Sequence, residues 1–156
     1  MGIYKLPEMS EEEMEEVINK QNLCRIGFID DNYPYIAPFQ YLYFDKGMYF
    51  HFTDYGKKKE ILKKNNKVCV SVEQLEPDLK EYSFIAIQGE LDLVKKEKER
   101  NLIIKKMVEE AKKTYSEDFL AAHGFEKKKG WDGFEFENQL IYKLNNVYRT
   151  IGLKSG

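Results

Sequence analysis

The sequence predicts a mainly β fold of the α+β class, a small barrel of antiparallel strands with peripheral helices. About seven short segments alternate apolar and polar side chains, as strands do, and tight turns separate many of them. Aromatic residues make up 14% of the chain, with eleven Tyr and ten Phe, which favours β structure. The order of the segments lacks the regular strand–helix–strand spacing of a Rossmann fold.

Length and charge limit the number of domains and the classes of partner. With 156 residues, one compact domain over residues 1–156 is expected. The 25 basic and 27 acidic side chains give a net charge of −2, so we expect no nucleic-acid partner. Cys24 and Cys69 lie far apart, which argues against a disulfide framework or a cysteine zinc site. No apolar run is long enough to span a membrane, and we expect a soluble, cytoplasmic protein.

The first helix is predicted at residues 10–22. Ser10 and Glu13 form the spacing of a capping box at its start. The apolar residues that recur at helical spacing are Met14, Val17 and Ile18.

Three strands are predicted next, at residues 23–29, 33–44 and 48–53. Pro34 and Pro38 weaken the hydrogen-bond ladder of the second strand, which we therefore expect at a sheet edge or a bulge. In the third strand, alternation predicts two faces. These faces are Met48, Phe50 and Phe52 on one side, and Tyr49, His51 and Thr53 on the other.

The middle of the chain mixes helices and strands. A short helix at residues 57–65 should turn Ile61 and Leu62 inward, and strands are predicted at residues 68–72 and 83–94. Gly89 marks a bulge or a close approach of backbone. A second long helix is predicted at about residues 96–113. Its core face comprises Ile103, Ile104, Met107, Val108 and Ala111.

The C-terminal part is predicted to end in two strands, at residues 139–144 and 147–152, separated by Asn145 and Asn146. A helical turn at residues 116–124 and a loop at residues 126–138 precede them. Trp131 in that loop either covers a ligand or fills the edge of the core.

A basic cluster, Lys57 to Lys59, follows Gly56 at the start of the short helix. Free N–H groups at a helix N-terminus attract anions, and ammonium groups there oppose the helix dipole unless an anion lies between them. Glycine also lets the backbone approach a ligand closely. The residues alone leave two interpretations open, a phosphate site or a solvated lysine cluster supported by Glu60.

A polar strand face with Tyr49, His51 and Thr53 lies just before this cluster, and it would either border a flat heterocycle or simply face solvent. Weaker hydrogen-bonding candidates are Ser83, Gln88 and Gly89. The sequence has no nucleotide-binding glycine motif, no nucleophile elbow and no paired metal-ligand spacing. We therefore predict no metal site.

The segment PYIAPFQYLYFDKGMYFHFTDYGKKKEILKKNNKVCVSVE resembles the FMN-binding split-barrel superfamily of pyridoxamine phosphate oxidase, and most closely its nitroimidazole-resistance reductase branch. That branch has the patterns P-x-x-x-P-hydrophobic-N-Y, an acidic turn, YFH, GRK and NPxVCxxV. The matching residues are Pro34, Pro38, Phe39, Gln40, Tyr41, Asp45, Tyr49, Phe50, His51, Gly56, Lys57, Lys58, Asn65, Asn66, Val68 and Cys69. EYSFIAIQGELDLV also looks like the branch's Y-x-S-V-x-x-x-G strand, and the tail YRTIGLK is loosely similar to its closing ITGK.

The resemblance implies an antiparallel split β-barrel with FMN bound at the interface of a homodimer. It implies that Gly56, Lys57 and Lys58 meet the phosphate of FMN. The other implied cofactor-binding residues are Phe39, Gln40, Tyr41, His51, Phe52, Thr53, Ser83, Gln88 and Gly89. Lys57 replaces the usual Arg, which keeps the charge without the two-pronged guanidinium, and Gln40 replaces Asn.

The implied function is a flavin-dependent oxidoreductase that uses a reduced nicotinamide, NAD(P)H, to reduce a small acceptor, with nitroaromatic compounds among the candidates. His51 is the implied catalytic residue, as a proton donor or by orienting the acceptor. Four alternatives stay open. They are a flavoprotein that only stores or senses FMN, a haem- or deazaflavin-binding relative, a pyridoxamine 5'-phosphate oxidase with Arg149 and Lys154 as its only phosphate-site match, and a structural module without a ligand.

Overall fold

A computed structural model describes residues 2–114 and 139–156 of the chain. In chain order its elements are α1 (Glu11–Lys20), β1 (Leu23–Asp30), β2 (Tyr33–Gln40), β3 (Leu42–Phe44), β4 (Gly47–Phe52), α2 (Lys57–Lys64), β5 (Lys67–Leu75), β6 (Tyr82–Leu93), α3 (Glu97–Thr114) and β7 (Leu140–Lys154). The helical turn predicted at residues 116–124 and the loop at residues 126–138, with Trp131, lie outside the described residues.

The strands form one antiparallel sheet in the order β2-β1-β5-β6-β7-β4-β3. The sheet curls until β2, at one edge, contacts β4 near the other edge, although these two strands do not pair. The helices pack around this half-barrel, with α1 on β5, α2 on β1, and α3 on β3 and β7. The apolar residues of α1 and α2 join the cluster that fills its interior. The predicted mainly β class and the antiparallel split barrel with peripheral helices are therefore confirmed.

The three predicted helices of the described region are present. In the capping box of α1, the Glu13 N–H donates to Ser10 Oγ at 3.2 Å and the Ser10 N–H donates to the Glu13 carboxylate at 3.1 Å. Val17 and Ile18 bury the apolar stripe of this helix, as predicted. Helix α2 likewise buries Ile61 and Leu62.

Two apolar clusters lie on the two sides of β4. The interior of the barrel includes Ile26, Phe28, Phe50, Val70, Val72 and Ile85, each fully buried, and burial of such a side chain contributes roughly 1.5–3 kcal/mol. On the other side, α3 covers the sheet with Ile103 and Ile104, which pack near Tyr49 and Ile141. The alternation of β4 was therefore predicted correctly, but α3 covers the side with Tyr49, which is only 5% exposed.

The single strand predicted at residues 33–44 is wrong, because the chain forms two strands that break at Tyr41. The Tyr41 N–H donates to the Asn22 carbonyl, and the Tyr41 hydroxyl donates to the buried Ile18 carbonyl at 2.6 Å. These bonds turn the chain from β2, which pairs with β1, to β3, which pairs with β4 at the opposite end of the sheet. Strand β2, which contains Pro34 and Pro38, is an edge strand as predicted.

The prediction of two C-terminal strands is also wrong, since residues 140–154 form one strand, β7. Both of its halves pair with β6, and the register shifts so that Gln88 pairs with Arg149 whereas Glu90 pairs with Asn145. The extra residues of β7 bulge opposite Gly89, where a Cβ would lie 2.9 Å from the Asn145 carbonyl oxygen. This geometry confirms Gly89 as a point of close approach.

Candidate functional site

The turn before α2 leaves the first N–H groups of this helix without a side-chain cap. Gly56 occupies the N-cap position with φ +101° and ψ 175°, a conformation that residues with a Cβ rarely adopt. Among the described residues, and apart from its two neighbours in the chain, no atom lies within 4 Å of the position where its Cβ would be. Since glycine has no side-chain oxygen to accept hydrogen bonds, the N-terminus of α2 remains accessible to an external anion.

Two lysines from the first turn of α2 lie over aromatic rings of β2. Lys57 Nζ is 5.1 Å from the centre of the Tyr35 ring, and Lys58 Nζ is 5.5 Å from the centre of the Phe39 ring. Lys57 also forms an ion pair with Asp30, with 2.9 Å between Nζ and Oδ2. The hydrogen bond to Asp30, and secondarily its charge, raises the pKa of Lys57. Both ammonium groups thus lie beside β2, over two of its half-buried rings.

Lys59 has a different role from its two neighbours. Its ammonium group pairs with the carboxylate of Asp54 in the preceding turn, and this hydrogen bond raises the pKa of Lys59. The pairing closes the turn between β4 and α2 and directs Lys59 away from the rings of β2. Lys57 and Lys58 are thus the two lysines of the cluster that lie over rings of β2, whereas Lys59 interacts with Tyr142.

An aromatic wall extends from these lysines into the barrel; we use this term for Phe28, Phe39, Phe52 and Tyr142. The Phe39 and Phe52 rings stack with their centres 4.9 Å apart, and the Phe52 and Tyr142 rings are 4.7 Å apart. Phe52 is buried, whereas Phe39 is half-buried below Lys58. Phe28, Phe52 and Tyr142 are buried, so Phe39 is the ring of the wall that a ligand could contact. An apolar ring next to two ammonium groups suits a planar ligand that carries an anionic tail.

Three predicted ring-binding residues lie away from the aromatic wall. Gln40 follows Phe39 on β2 and is exposed on the opposite face of that strand. Tyr41 is buried against α1 through its bond to Ile18, and burial raises its pKa. The Thr53 hydroxyl is exposed and donates to the Tyr55 carbonyl at 2.9 Å. The roles of these three side chains stay predictions.

His51, the predicted catalytic residue, lies on the side of β4 opposite Phe50 and Phe52. It is half-buried, pairs with Ile141 of β7 and contacts the Gln139 side chain through its Nε2 atom. The imidazole therefore does not border the aromatic wall within one chain, and its catalytic role stays a prediction.

The residues predicted on β6 are distant from the two lysines in the same chain. Strands β1 and β5 separate β6 from β2, a distance of about 14 Å at the usual strand spacing. Gln88 accepts a hydrogen bond from Arg149 Nε at 3.1 Å, and Ser83 lies at the start of β6 opposite Gln74. Gly89 approaches β7 instead. One chain thus brings together Phe39, Phe52, Gly56, Lys57 and Lys58, but not Ser83, Gln88 or Gly89.

Sequence reasoning missed three residues of this site, namely Asp30, Tyr35 and Tyr142. Tyr35 could have been found, because the two-residue period of a strand places it on the same face as Phe39. Asp30 and Tyr142 reach the site only through the packing of α2 and β7, which no local pattern reveals.

The side of β2, β1, β5, β6 and β7 that faces away from the core, which we call the outer sheet face, carries both apolar and polar side chains, including the ion pair of Arg25 with Glu73. Its exposed apolar residues include Leu23 (55% exposed), Ile29 (46%), Ile36 (65%) and Ile151 (41%). Gly27, Cys69 and Ala86 leave the middle of the face shallow, as register places them side by side with Ile36 and Gln88. Uncovered apolar surfaces of this kind mark interaction sites.

In the part of the chain that the structure describes, no three His, Cys, Asp or Glu residues come together in a way that could hold a metal ion. None of its helices combines the length and the apolar character needed to cross a membrane.

Comparison with known proteins yields one family and several similar folds. The family model of pyridoxamine 5'-phosphate oxidase matches residues 10–126. No curated protein has a sequence that matches this chain. A FAD-binding protein from Mesorhizobium loti has a similar structure, with a TM-score of 0.68, 17% sequence identity, and coverage of 97% of this chain and 99% of that one.

Two further solved structures share the fold. A candidate 5-nitroimidazole antibiotic resistance protein from Bacteroides thetaiotaomicron has a TM-score of 0.68 and 19% identity, with coverage of 96% of this chain and 87% of that one. The FAD-binding protein from Mycobacterium smegmatis has a TM-score of 0.62 and 13% identity, with coverage of 96% and 98%. At these identities the likeness concerns the fold.

Proposed function

This chain belongs to the pyridoxamine 5'-phosphate oxidase family, and from that premise we propose that it binds FMN and transfers electrons from a reduced nicotinamide to a small acceptor. The observation that carries the proposal is the pair of ammonium groups, Lys57 and Lys58, at the uncapped N-terminus of α2. We further propose that residues 1–156 act as a single flavin-binding domain in the cytoplasm.

The phosphate of FMN fits the N-terminus of α2 on three grounds. The helix presents free N–H groups, Gly56 leaves space beside them, and two cations lie next to that space. A dianion there would offset the repulsion between the ammonium groups of Lys57 and Lys58 and the positive end of the helix dipole. A hydrogen-bonded contact between an ammonium and a phosphate contributes about 1.5–3 kcal/mol.

The isoalloxazine ring of FMN fits beside Phe39, the half-buried member of the aromatic wall. Phe39 is held by its stacking on Phe52, so its position is fixed before a ligand arrives. The barrel interior behind it is apolar and buried, which would keep water from one side of the ring. We propose that this wall orients the ring while the lysines hold the phosphate.

The bound flavin would supply the redox chemistry, taking a hydride from the reduced nicotinamide and passing two electrons to the acceptor. This chain then needs no nucleophile of its own. Its residues bind the phosphate, orient the ring and limit access of water. The acceptor also takes up protons, which come from solvent or from His51, whose predicted role requires the imidazole to reach the bound acceptor. A 5-nitroimidazole is the acceptor we would test first, because the fold is shared with a candidate nitroimidazole resistance protein.

We propose that the outer sheet face joins two copies of the chain. Its exposed isoleucines and shallow centre suit a flat, apolar contact. Strand β6 lies on this face and cannot reach the lysines of its own chain, but a second copy could present Gln88, which lies on the outward side of β6. Ser83 lies on the other side of β6, together with Ile85. This arrangement would reconcile the predicted FMN site at a homodimer interface with the separation of β6 from β2.

The test of the phosphate site is a comparison of FMN and riboflavin, which differ only in the phosphate. For the double variant Lys57→Met and Lys58→Met, we expect FMN affinity to fall about 10- to 100-fold with riboflavin affinity unchanged. The control removes two charges from the other end of the same helix, by Lys63→Met and Lys64→Met, and should change both affinities less than about twofold. Equal loss of FMN affinity in both double variants would exclude a dedicated phosphate site.

Absorption spectra distinguish the proposed reductase from the alternative functions. Anaerobic addition of NADH or NADPH should bleach the FMN-loaded protein, and a 5-nitroimidazole should restore the colour faster than buffer does. Bound flavin that a nicotinamide does not reduce would indicate storage or sensing. A haem or deazaflavin spectrum in the isolated protein would indicate another ligand, and failure to bind any flavin would indicate a structural module.

The dimer is tested separately. Ile36→Glu places a charge on the outer sheet face, and we expect the variant to sediment as a monomer and to lose FMN. Leu102→Glu is the control, because Leu102 is 44% exposed on α3, away from that face. Ile36→Glu protein that sediments like the parent would argue against this face as the interface.

A further inference from the structure

We propose that Asp30 is a resident counter-ion of the phosphate site, one that occupies Lys57 in the free protein and weakens FMN binding. This inference rests on the proposed function, since it concerns the same site. Asp30 ends β1, and its carboxylate is 2.9 Å from Lys57 Nζ. Lys57 therefore already has an anionic partner before a phosphate arrives.

The ion pair does not act as a buried support of the fold. The Lys57 side chain is 62% exposed and the Asp30 side chain 27% exposed. Pairs with this degree of exposure contribute little to stability, because water screens them. The location is more informative, because Lys57 is the first residue of α2, and the N-terminus of a helix attracts anions.

A bound phosphate and Asp30 would compete for one ammonium group. The phosphate either displaces the carboxylate from Lys57 or lies beside it, and two like charges at such short range repel each other. Asp30 cannot move far, because β1 pairs with β2 up to the pair formed by Asp30 and Tyr33. Lys58 lies over Phe39 and forms no ion pair with the described residues. Asp30 should therefore lower the affinity for any phosphate-bearing ligand at this site.

The same turn offers a matched control for the removal of one negative charge. Asp31 follows Asp30, is exposed and has φ +55°, a conformation that Asn tolerates as well as Asp. It forms no ion pair with the described residues. Asp30→Asn and Asp31→Asn thus change the net charge equally, and only the first removes the partner of Lys57.

The experiment measures FMN and riboflavin binding to the full chain by fluorescence quenching at one ionic strength. For Asp30→Asn we expect FMN affinity to rise about 5- to 20-fold, with riboflavin affinity unchanged. Asp31→Asn should raise FMN affinity less than about twofold. Asp30→Ser, a second neutral variant, should act like Asp30→Asn, and its riboflavin affinity shows whether the ring site is intact.

Other outcomes overturn the inference in distinguishable ways. Lower FMN affinity in Asp30→Asn and Asp30→Ser, with riboflavin binding intact, would mean that Asp30 positions Lys57 for the phosphate. An effect equal to that of Asp31→Asn would mean that only general charge matters. If the parent binds FMN and riboflavin equally, and loss of Lys57 and Lys58 has no effect, the phosphate site itself is wrong and the proposed function fails with it.

Discussion

Replacement of Gly89 by alanine should destabilise the fold, because the added methyl group would lie too close to β7. The added Cβ would lie 2.9 Å from the Asn145 carbonyl oxygen and 3.0 Å from a Leu144 methyl, where ordinary contacts begin at 3.4 Å. The bulge of β7 would have to move by about half an ångström to relieve the overlap. Two side-chain bonds oppose that movement, from Asn145 to Asp92 at 3.0 Å and from Asn146 to Glu90 at 2.9 Å.

Overpacking of this kind costs about 1–3 kcal/mol. For a chain of this length, a loss of 2 kcal/mol corresponds to a fall in Tm of about 4–8 °C. The assay is thermal and urea unfolding at one protein concentration, followed by circular dichroism. The matched control is Gly27→Ala in the same sheet, where the Cβ would lie 3.7 Å from its nearest neighbour, the Cys69 carbonyl oxygen.

We expect Gly27→Ala to match the parent within about 0.5 kcal/mol or to stabilise the fold slightly, because alanine restricts the unfolded chain. Since Gly27 lies on the outer sheet face, sedimentation must first show that the oligomeric state is unchanged. A Gly89→Ala protein as stable as the parent would refute the reasoning, because it would mean that the bulge shifts without cost.

Two further predictions concern titratable groups. The hydrogen bond from Lys154 is the largest of the causes that lower the pKa of Glu13 below its usual value of 4.5. The Glu13 carboxylate therefore stabilises the fold above pH 4.5, and this stabilisation is lost as the pH falls through the lowered pKa. Glu13→Gln should therefore lower Tm more at about pH 7 than at about pH 2, and an equal difference at both values would contradict this origin. Burial raises the pKa of the Cys24 thiol to about 12. In a Cys69→Ser protein, we therefore expect a thiol reagent at about pH 8 to react with Cys24 only after unfolding. Rapid reaction with the native protein would show that Cys24 is accessible.

Features with a local cause could be predicted from the sequence. The faces of β4 and β5 follow from alternation, and the start of α1 follows from Ser10 and Glu13. The two errors arose where tertiary contacts decide the outcome. Nothing near Tyr41 signals the turn that its bonds to α1 and Asn22 impose. Asn145 and Asn146 are typical turn residues, yet pairing of both flanking segments with β6 keeps them in one strand.

In the candidate site too, the residues that are neighbours in the sequence could be predicted. Gly56, Lys57 and Lys58 are consecutive, so a helix start was enough to bring them together. Residues from separate strands were less predictable, because a resemblance lists them without saying which chain of a pair contributes each one. Adjacent residues such as Phe39 and Gln40 must also point to opposite sides of a strand, so both could not line one surface in the same way.

Strand β7 has a consequence for the order of folding. It pairs with β6 along one side and with β4 along the other. In the described sheet, β7 is therefore the strand whose backbone hydrogen bonds connect the β3–β4 hairpin to the other strands. The hairpins β1–β2 and β3–β4 can each form early from nearby residues, but the cleft between them does not exist until β7 has joined both parts. Assembly that waits for such a distant segment is slow, and the newly made chain should acquire its ligand only after this last docking step.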